Sequence, residues 1–174
     1  MQVDKRIVQL AQNVLKSSVE LKKGEKIYIE AFGLSTLDML RSLIGEATKI
    51  GAVPFYYFND ESFTKEMVKY ASAEQLQQHA KMHQRLMEEA DVYVAVRGYD
   101  DIFALSDVDA KQMALYGKYY HGQVHTQTRV PHTRWCVMRF PNNTMAALSR
   151  MSTEEFTDFY FKACLLDYRK MDKA

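Results

Sequence analysis

The sequence predicts an α/β domain: an open, mainly parallel four-stranded sheet with helices on both faces and a long C-terminal helix. Four short runs rich in β-branched and aromatic residues, at 26–31, 52–58, 91–97 and 134–140, carry the strands. The stretches between them repeat their apolar residues every three or four positions, as helices do, and strand–helix–strand alternation favours parallel pairing through right-handed crossovers. At 174 residues, with no internal repeat, low-complexity tract or linker, the chain has the size of one ordinary domain.

The elements follow in order. Val3, Ile7, Leu10, Ala11, Val14 and Leu15 mark a first amphipathic helix, closed near Lys23-Gly24. Ile27 and Ile29 alternate with Tyr28 in the first strand, after which Gly33 and a Ser35/Thr36 cap open a helix. That helix carries Leu37, Leu40, Leu43, Ile44, Ala47 and Ile50 and ends at Gly51, where a left-handed residue is wanted. Residues 52–58 are continuously apolar and aromatic, the pattern of a strand covered on both faces, although Pro54 lacks an amide proton and argues for an edge or a strand start. Phe63, Met67 and Tyr70 suggest a short helix, and Ser72 with Gln75 forms a capping box for a longer one ending near Glu89. In the third strand Val92, Val94 and Val96 alternate with Tyr93 and Ala95. Residues 106–127 read as a helix broken or bent at Gly117 and Gly122, since each glycine costs about 1 kcal/mol in a helix interior. Pro141 stops the fourth strand, and two helices follow.

The last of them, 153–172, is apolar on nearly every side: Phe156, Phe159, Ala163 and Leu166 form one stripe, and Phe161, Cys164, Leu165, Tyr168 and Met171 another. Two apolar stripes call for two neighbours. The body of the domain supplies one, so the pattern predicts a following domain or partner subunit over the other.

A net charge of +1 with interspersed acids and bases gives no footprint for nucleic acid or an anionic bilayer. The N-terminus lacks a secretory apolar core, which predicts a cytoplasmic protein, and Cys136 and Cys164 then read as free, core-facing thiols. Eleven tyrosines and nine phenylalanines suggest extra buried or interfacial surface, with Tyr116, Tyr119 and Tyr120 as the exposed aromatic patch.

Two histidine pairs, His79/His83 and His121/His125, have the four-residue spacing that puts both imidazoles on one helical face. Neither pair has a glutamate directly after its first histidine, and no third ligand is evident, so neither is assigned a metal. His83 falls in an apolar stripe and reads as a partly buried histidine with one hydrogen-bond partner. Asp100 and Asp101 follow the strongest strand and should lie near the carboxyl edge of the sheet, where open α/β domains bind ligands. With Arg134 they are the cleft-facing candidates, while Asp107 and Asp109 read as helix caps. Arg97, Arg129, Arg134 and Arg139 could hold a carboxylate across that edge, or snorkel and make surface ion pairs. A single glycine in Ala31-Phe32-Gly33-Leu34-Ser35 cannot cradle a phosphate, and no G-x-S-x-G motif supplies a nucleophile. No catalytic residue is assigned.

The run Arg134-Trp135-Cys136-Val137-Met138-Arg139-Phe140-Pro141, continuing through Asn142-Asn143-Thr144-Met145-Ala146 to Met151-Ser152-Thr153-Glu154-Glu155-Phe156 and on to Met171, resembles the N-terminal half of the thermophilic metallo-aminopeptidases of the aminopeptidase T and S type. Looser matches upstream include Leu21-Lys22-Lys23-Gly24-Glu25, Glu89-Ala90-Asp91-Val92-Tyr93 and Leu105-Ser106-Asp107-Val108. The resemblance implies that residues 1–174 are the N-terminal α/β domain of a two-domain exopeptidase that releases N-terminal residues from peptides by a metal-activated water. It further implies a pair of divalent ions of the zinc or cobalt class, held by residues of a C-terminal domain absent from this chain, and homodimer contacts. A freestanding α/β scaffold or binding module, self-associating through Phe161, Leu165 and Tyr168, is the alternative. A small enzyme working from a pocket around Asp100 and Asp101 is a third reading.

Overall fold

A computed structural model describes residues 3–166. Four strands, β1 (Lys26–Phe32), β2 (Val53–Asn59), β3 (Val92–Arg97) and β4 (Arg134–Arg139), form one sheet in the order β2-β1-β3-β4 with every neighbouring pair parallel. The helices are α1 (Lys5–Asn13), α2 (Leu37–Ile50), α3 (Glu61–Tyr70), α4 (Ala73–Glu89), α5 (Ala110–Tyr116), α6 (Val130–His132), α7 (Asn143–Leu148) and α8 (Thr153–Cys164). No helix among the described residues is long and apolar enough to cross a membrane.

Register and strand alternation divide the sheet into two unlike faces. Ile27, Ile29, Ala31, Val92, Val94 and Val96 point one way and are fully buried against α1 and α2, with Phe161 of α8 and half-buried Cys136 and Met138 completing the core. Each such aliphatic side chain contributes about 1.5–3 kcal/mol by leaving water. The opposite face carries three rows set by the pairing: Phe55, Tyr28, Tyr93 and Trp135; then Tyr57, Glu30, Ala95 and Val137; then Asn59, Phe32, Arg97 and Arg139. α4 and the segment after α5 cover its centre.

β2 is an edge strand, not one covered on both faces: Val53, Phe55, Tyr56 and Tyr57 are all exposed. Pro54, which cannot donate to a ladder, sits where the lost donor costs nothing. α2 ends as expected, with Gly51 at φ 87° and its amide bonded to the carbonyls of Ala47 and Thr48. Its start differs: the Ser35 and Thr36 hydroxyls donate to the carbonyls of Gly98 (3.0 Å) and Gly33 (2.7 Å) rather than capping amides. The capping box of Ser72 and Gln75 is formed as read.

The expected long helix at 106–127 is replaced by a loop, α5, and a π-helical segment Gly117–Arg129. Glycine permits this wider winding, because a Cβ on Gly122 would lie 3.0 Å from the Gly117 carbonyl oxygen. The winding turns Tyr120 inward until it is buried, with Tyr116 and Tyr119 half-buried, so these three do not form an exposed patch. Asp109 caps α5 through the Lys111 amide, whereas Asp107 opens no helix and instead pairs with Lys65 at 2.6 Å. Cys136 and Cys164 are not joined in a disulfide, and both are only half-buried.

α8 ends at Cys164, with Leu165 as its C-cap, short of the long helix expected over 153–172; Tyr168 and Met171 lie outside the described residues. Of its two stripes, Phe156 and Phe161 pack into the domain, while Phe159 and Leu166 are exposed. Phe161 is therefore a core residue and not a docking residue.

Candidate functional site

A carboxylate lies in the middle of the sheet. Glu30 occupies the centre of β1 between Ile29 and Ala31 and is 2% exposed. An unpaired buried carboxylate would cost several kcal/mol, so its neighbours decide its state. The Tyr93 hydroxyl donates to Oε2, and the Tyr28 hydroxyl to Oε1 at 3.3 Å. His83 Nε2, from α4, stands 3.3 Å from Oε1, off the line of a hydrogen bond. Its Nδ1 lies 2.6 Å from the Tyr120 hydroxyl. Burial keeps Tyr120 protonated, so that hydroxyl donates to Nδ1 and the network assigns the proton of His83 to Nε2, facing Glu30. Burial pushes the Glu30 carboxyl up, but the donors facing it from His83 and Tyr93 outweigh that and hold the group ionised, below its ordinary value.

The π-helical segment brings two more imidazoles over this network. The His125 ring is 5.8 Å from that of His83 and 4.9 Å from that of His121, and His79 stacks on Tyr120 at 5.1 Å. Desolvation lowers the pKa of His125 to about 4, and it also lowers His79 and His121, so all three are neutral at pH 7. The two histidine pairs therefore converge on one place, which their separate spacings did not suggest. Among the described residues no three His, Cys, Asp or Glu side chains are grouped to hold an ion.

A cavity of about 200 Å³ opens above the Glu30 row, lined by Tyr57, Arg97, Tyr116, His121 and His125 among others. Arg97 Nε is buried with no hydrogen-bond partner, as are Nε and Nη1 of Arg129. The Arg129 guanidinium lies 5.3 Å from the Tyr93 ring and 4.3 Å from the Trp135 ring, a cation–π setting. These two arginines neither snorkel freely nor make surface ion pairs.

Asp100 and Asp101 line a second cavity of about 280 Å³ at the carboxyl edge, with Gly33, Asp60, Glu61 and Tyr99. The strand ends β1 and β3 meet there through glycine: a Cβ on Gly33 would lie 2.3 Å from the Gly98 carbonyl oxygen. Asp101 accepts the Phe103 amide at 2.8 Å, the Thr144 hydroxyl bonds the Asp100 carbonyl, and Asn142 holds the Tyr99 carbonyl at 2.7 Å. Arg134 does not join them. It begins β4 at the opposite, amino edge, where it pairs with Glu25 at 2.5 Å and donates to the Val19 carbonyl. Sequence reasoning missed Glu30 altogether, although period-two alternation places it on one face with Tyr28.

The sequence matches the thermophilic metalloprotease (M29) family over residues 3–172. No curated protein matches it. Among solved structures, AmpT of Thermus thermophilus superimposes with a TM-score of 0.69 at 18% identity, covering 92% of this chain and 43% of that one. A Corynebacterium glutamicum chain described as a LacI-family repressor reaches a TM-score of only 0.41 at 16% identity, over 93% of this chain and 55% of that one. The chain thus spans less than half the length of AmpT and shares its fold. With the family match running over nearly every residue, the chain belongs to the thermophilic metalloprotease (M29) family.

Proposed function

We propose that this chain is the N-terminal, non-catalytic half of a metal-dependent aminopeptidase acting on peptides. The observation that carries the reading is one of extent: the family match runs over residues 3–172, yet 92% of the chain covers only 43% of AmpT. The absence of a three-ligand grouping among the described residues supports assigning the metal ions, of the zinc or cobalt class, to the other half. Exposed Leu148, Phe159 and Leu166, on α7, α8 and just after it, offer an apolar surface for that half to cover. In this reading the domain walls the catalytic half, takes part in homodimer contacts and works in the cytoplasm. The purified 174-residue chain, folded by circular dichroism and supplied with zinc or cobalt, should leave an aminoacyl chromogenic substrate unhydrolysed above buffer. Clear turnover would overturn the reading.

A further inference from the structure

We infer that the cavity beneath the π-helical segment is a binding site for a free α-amino acid, with its carboxylate on Arg97 and its ammonium group toward Glu61 and Glu30. The site is built from three independent features of one cavity. First, Arg97 lines it with a buried Nε that has no partner, and among the described residues Arg97 enters no ion pair. Its cross-strand neighbours, Phe32 and Arg139, offer no carboxylate. A guanidinium nitrogen buried without an acceptor is costly to keep, and a ligand carboxylate is the acceptor whose geometry the group fits.

Second, two acids share the same cavity. Glu30 is ionised at its floor, and Glu61, at the start of α3, is half-buried in its wall. Both oxygens of Glu30 are already engaged by tyrosines, so it acts on the ligand through its field, while Glu61, which also takes a hydrogen bond from Tyr99, keeps lone pairs for an ammonium group. Third, Phe32, Tyr57, Tyr116 and Tyr120 give the same space apolar walls, suited to an apolar or aromatic side chain.

Charge selects among ligand classes. A simple anion would meet two carboxylates, and a simple cation would meet Arg97, whereas a zwitterion satisfies both. The neutral imidazoles of His79, His121 and His125 oppose neither end. A volume of about 200 Å³ admits an amino acid. This site is independent of where a peptide bond is cut.

Calorimetric titration of the 174-residue chain with L-phenylalanine and with phenylalanine-containing dipeptides tests it. L-phenylalanine should bind saturably, and N-acetyl-L-phenylalanine and L-phenylalaninamide should each bind at least about tenfold more weakly, because each cap leaves a buried charge unmatched. Arg97→Met should weaken L-phenylalanine by a similar factor while leaving the amide nearly unchanged. Dipeptides, in which no single residue carries both charges, should also bind more weakly, and a dipeptide binding better than the free amino acid would overturn the assignment. Absence of saturable binding by any of these, or equal affinity for capped and free ligands, overturns the proposal. Should Arg97→Met fail to fold, the capped-ligand comparison on the unaltered chain decides. Hydrolysis of a chromogenic substrate bears only on the non-catalytic assignment, so the two proposals fail separately.

Discussion

On one face of the sheet Ile27, Ile29, Val92, Val94 and Val96 meet α1 and α2 as an unbroken aliphatic layer; on the other, Tyr28, Glu30, Tyr93 and Arg97 meet α4 and the π-helical segment as a layer of rings and charges. The first is what hydrophobic burial needs and no more. The second buries a carboxylate and leaves guanidinium nitrogens without acceptors, features that an apolar replacement of similar volume would improve upon for stability alone. The difference teaches that this domain separates its work by face: the aliphatic side holds the fold, and the polar side retains costly groups for recognition.

The seam at the carboxyl ends of β1 and β3 is the place to break both faces together. Gly33 sits at φ 85° with its missing Cβ directed at the Gly98 carbonyl oxygen, 2.3 Å away. Gly33→Ala should cost more than about 4 kcal/mol, read as loss of soluble, cooperatively unfolding protein. On the aliphatic face alone, Ile29→Ala should cost about 3 kcal/mol in urea unfolding, the usual range for a fully buried branched side chain.

Acid should act on the polar face first. His125 titrates near 6.5 when unfolded and at about 4 when folded, so the unfolded chain binds the extra proton and stability falls as pH drops from about 6.5 to 4. Glu30, held below its ordinary 4.5, adds a further loss as pH falls through its folded value. The neighbouring His79 and His121, also lowered, carry the same sign as His125. His125→Gln should remove about 2 kcal/mol of this slope, measured as the change in unfolding free energy between pH 7 and pH 4.5. A slope unchanged by that substitution would mean that the polar face does not govern the acid limb. The smallest effect belongs to neither face: Tyr56→Ser, at 62% exposure on edge strand β2, should stay within about 0.5 kcal/mol.

The fold was legible because its signals are local. Alternation in Val92, Val94 and Val96, the left-handed stop at Gly51 and the capping box at Ser72 each name one element, and Pro54 already pointed to the edge. The site was not, because its parts come from four segments far apart in sequence. Glu30 looks like a surface acid inside a short strand until Tyr93, 63 residues on, is known to donate to it. His83 and Tyr120 are separated by 37 residues and met only because the π-helical winding turns Tyr120 inward. Gly117 and Gly122 did announce an irregularity there, but not its direction. Asp100 and Asp101 could be placed at the carboxyl edge from their position after β3, while Arg134, read by charge alone, proved to lie at the other end of the sheet.

The division of labour between the faces is tested most directly by equilibrium urea unfolding of Arg97→Met beside the unaltered chain at pH 7. A guanidinium kept for a ligand and not for stability predicts a midpoint unchanged or raised, with L-phenylalanine increasing the stability of the unaltered chain only. A loss of about 2 kcal/mol or more in the variant, with no ligand effect on either protein, would show that Arg97 is part of the scaffold and contradict the account.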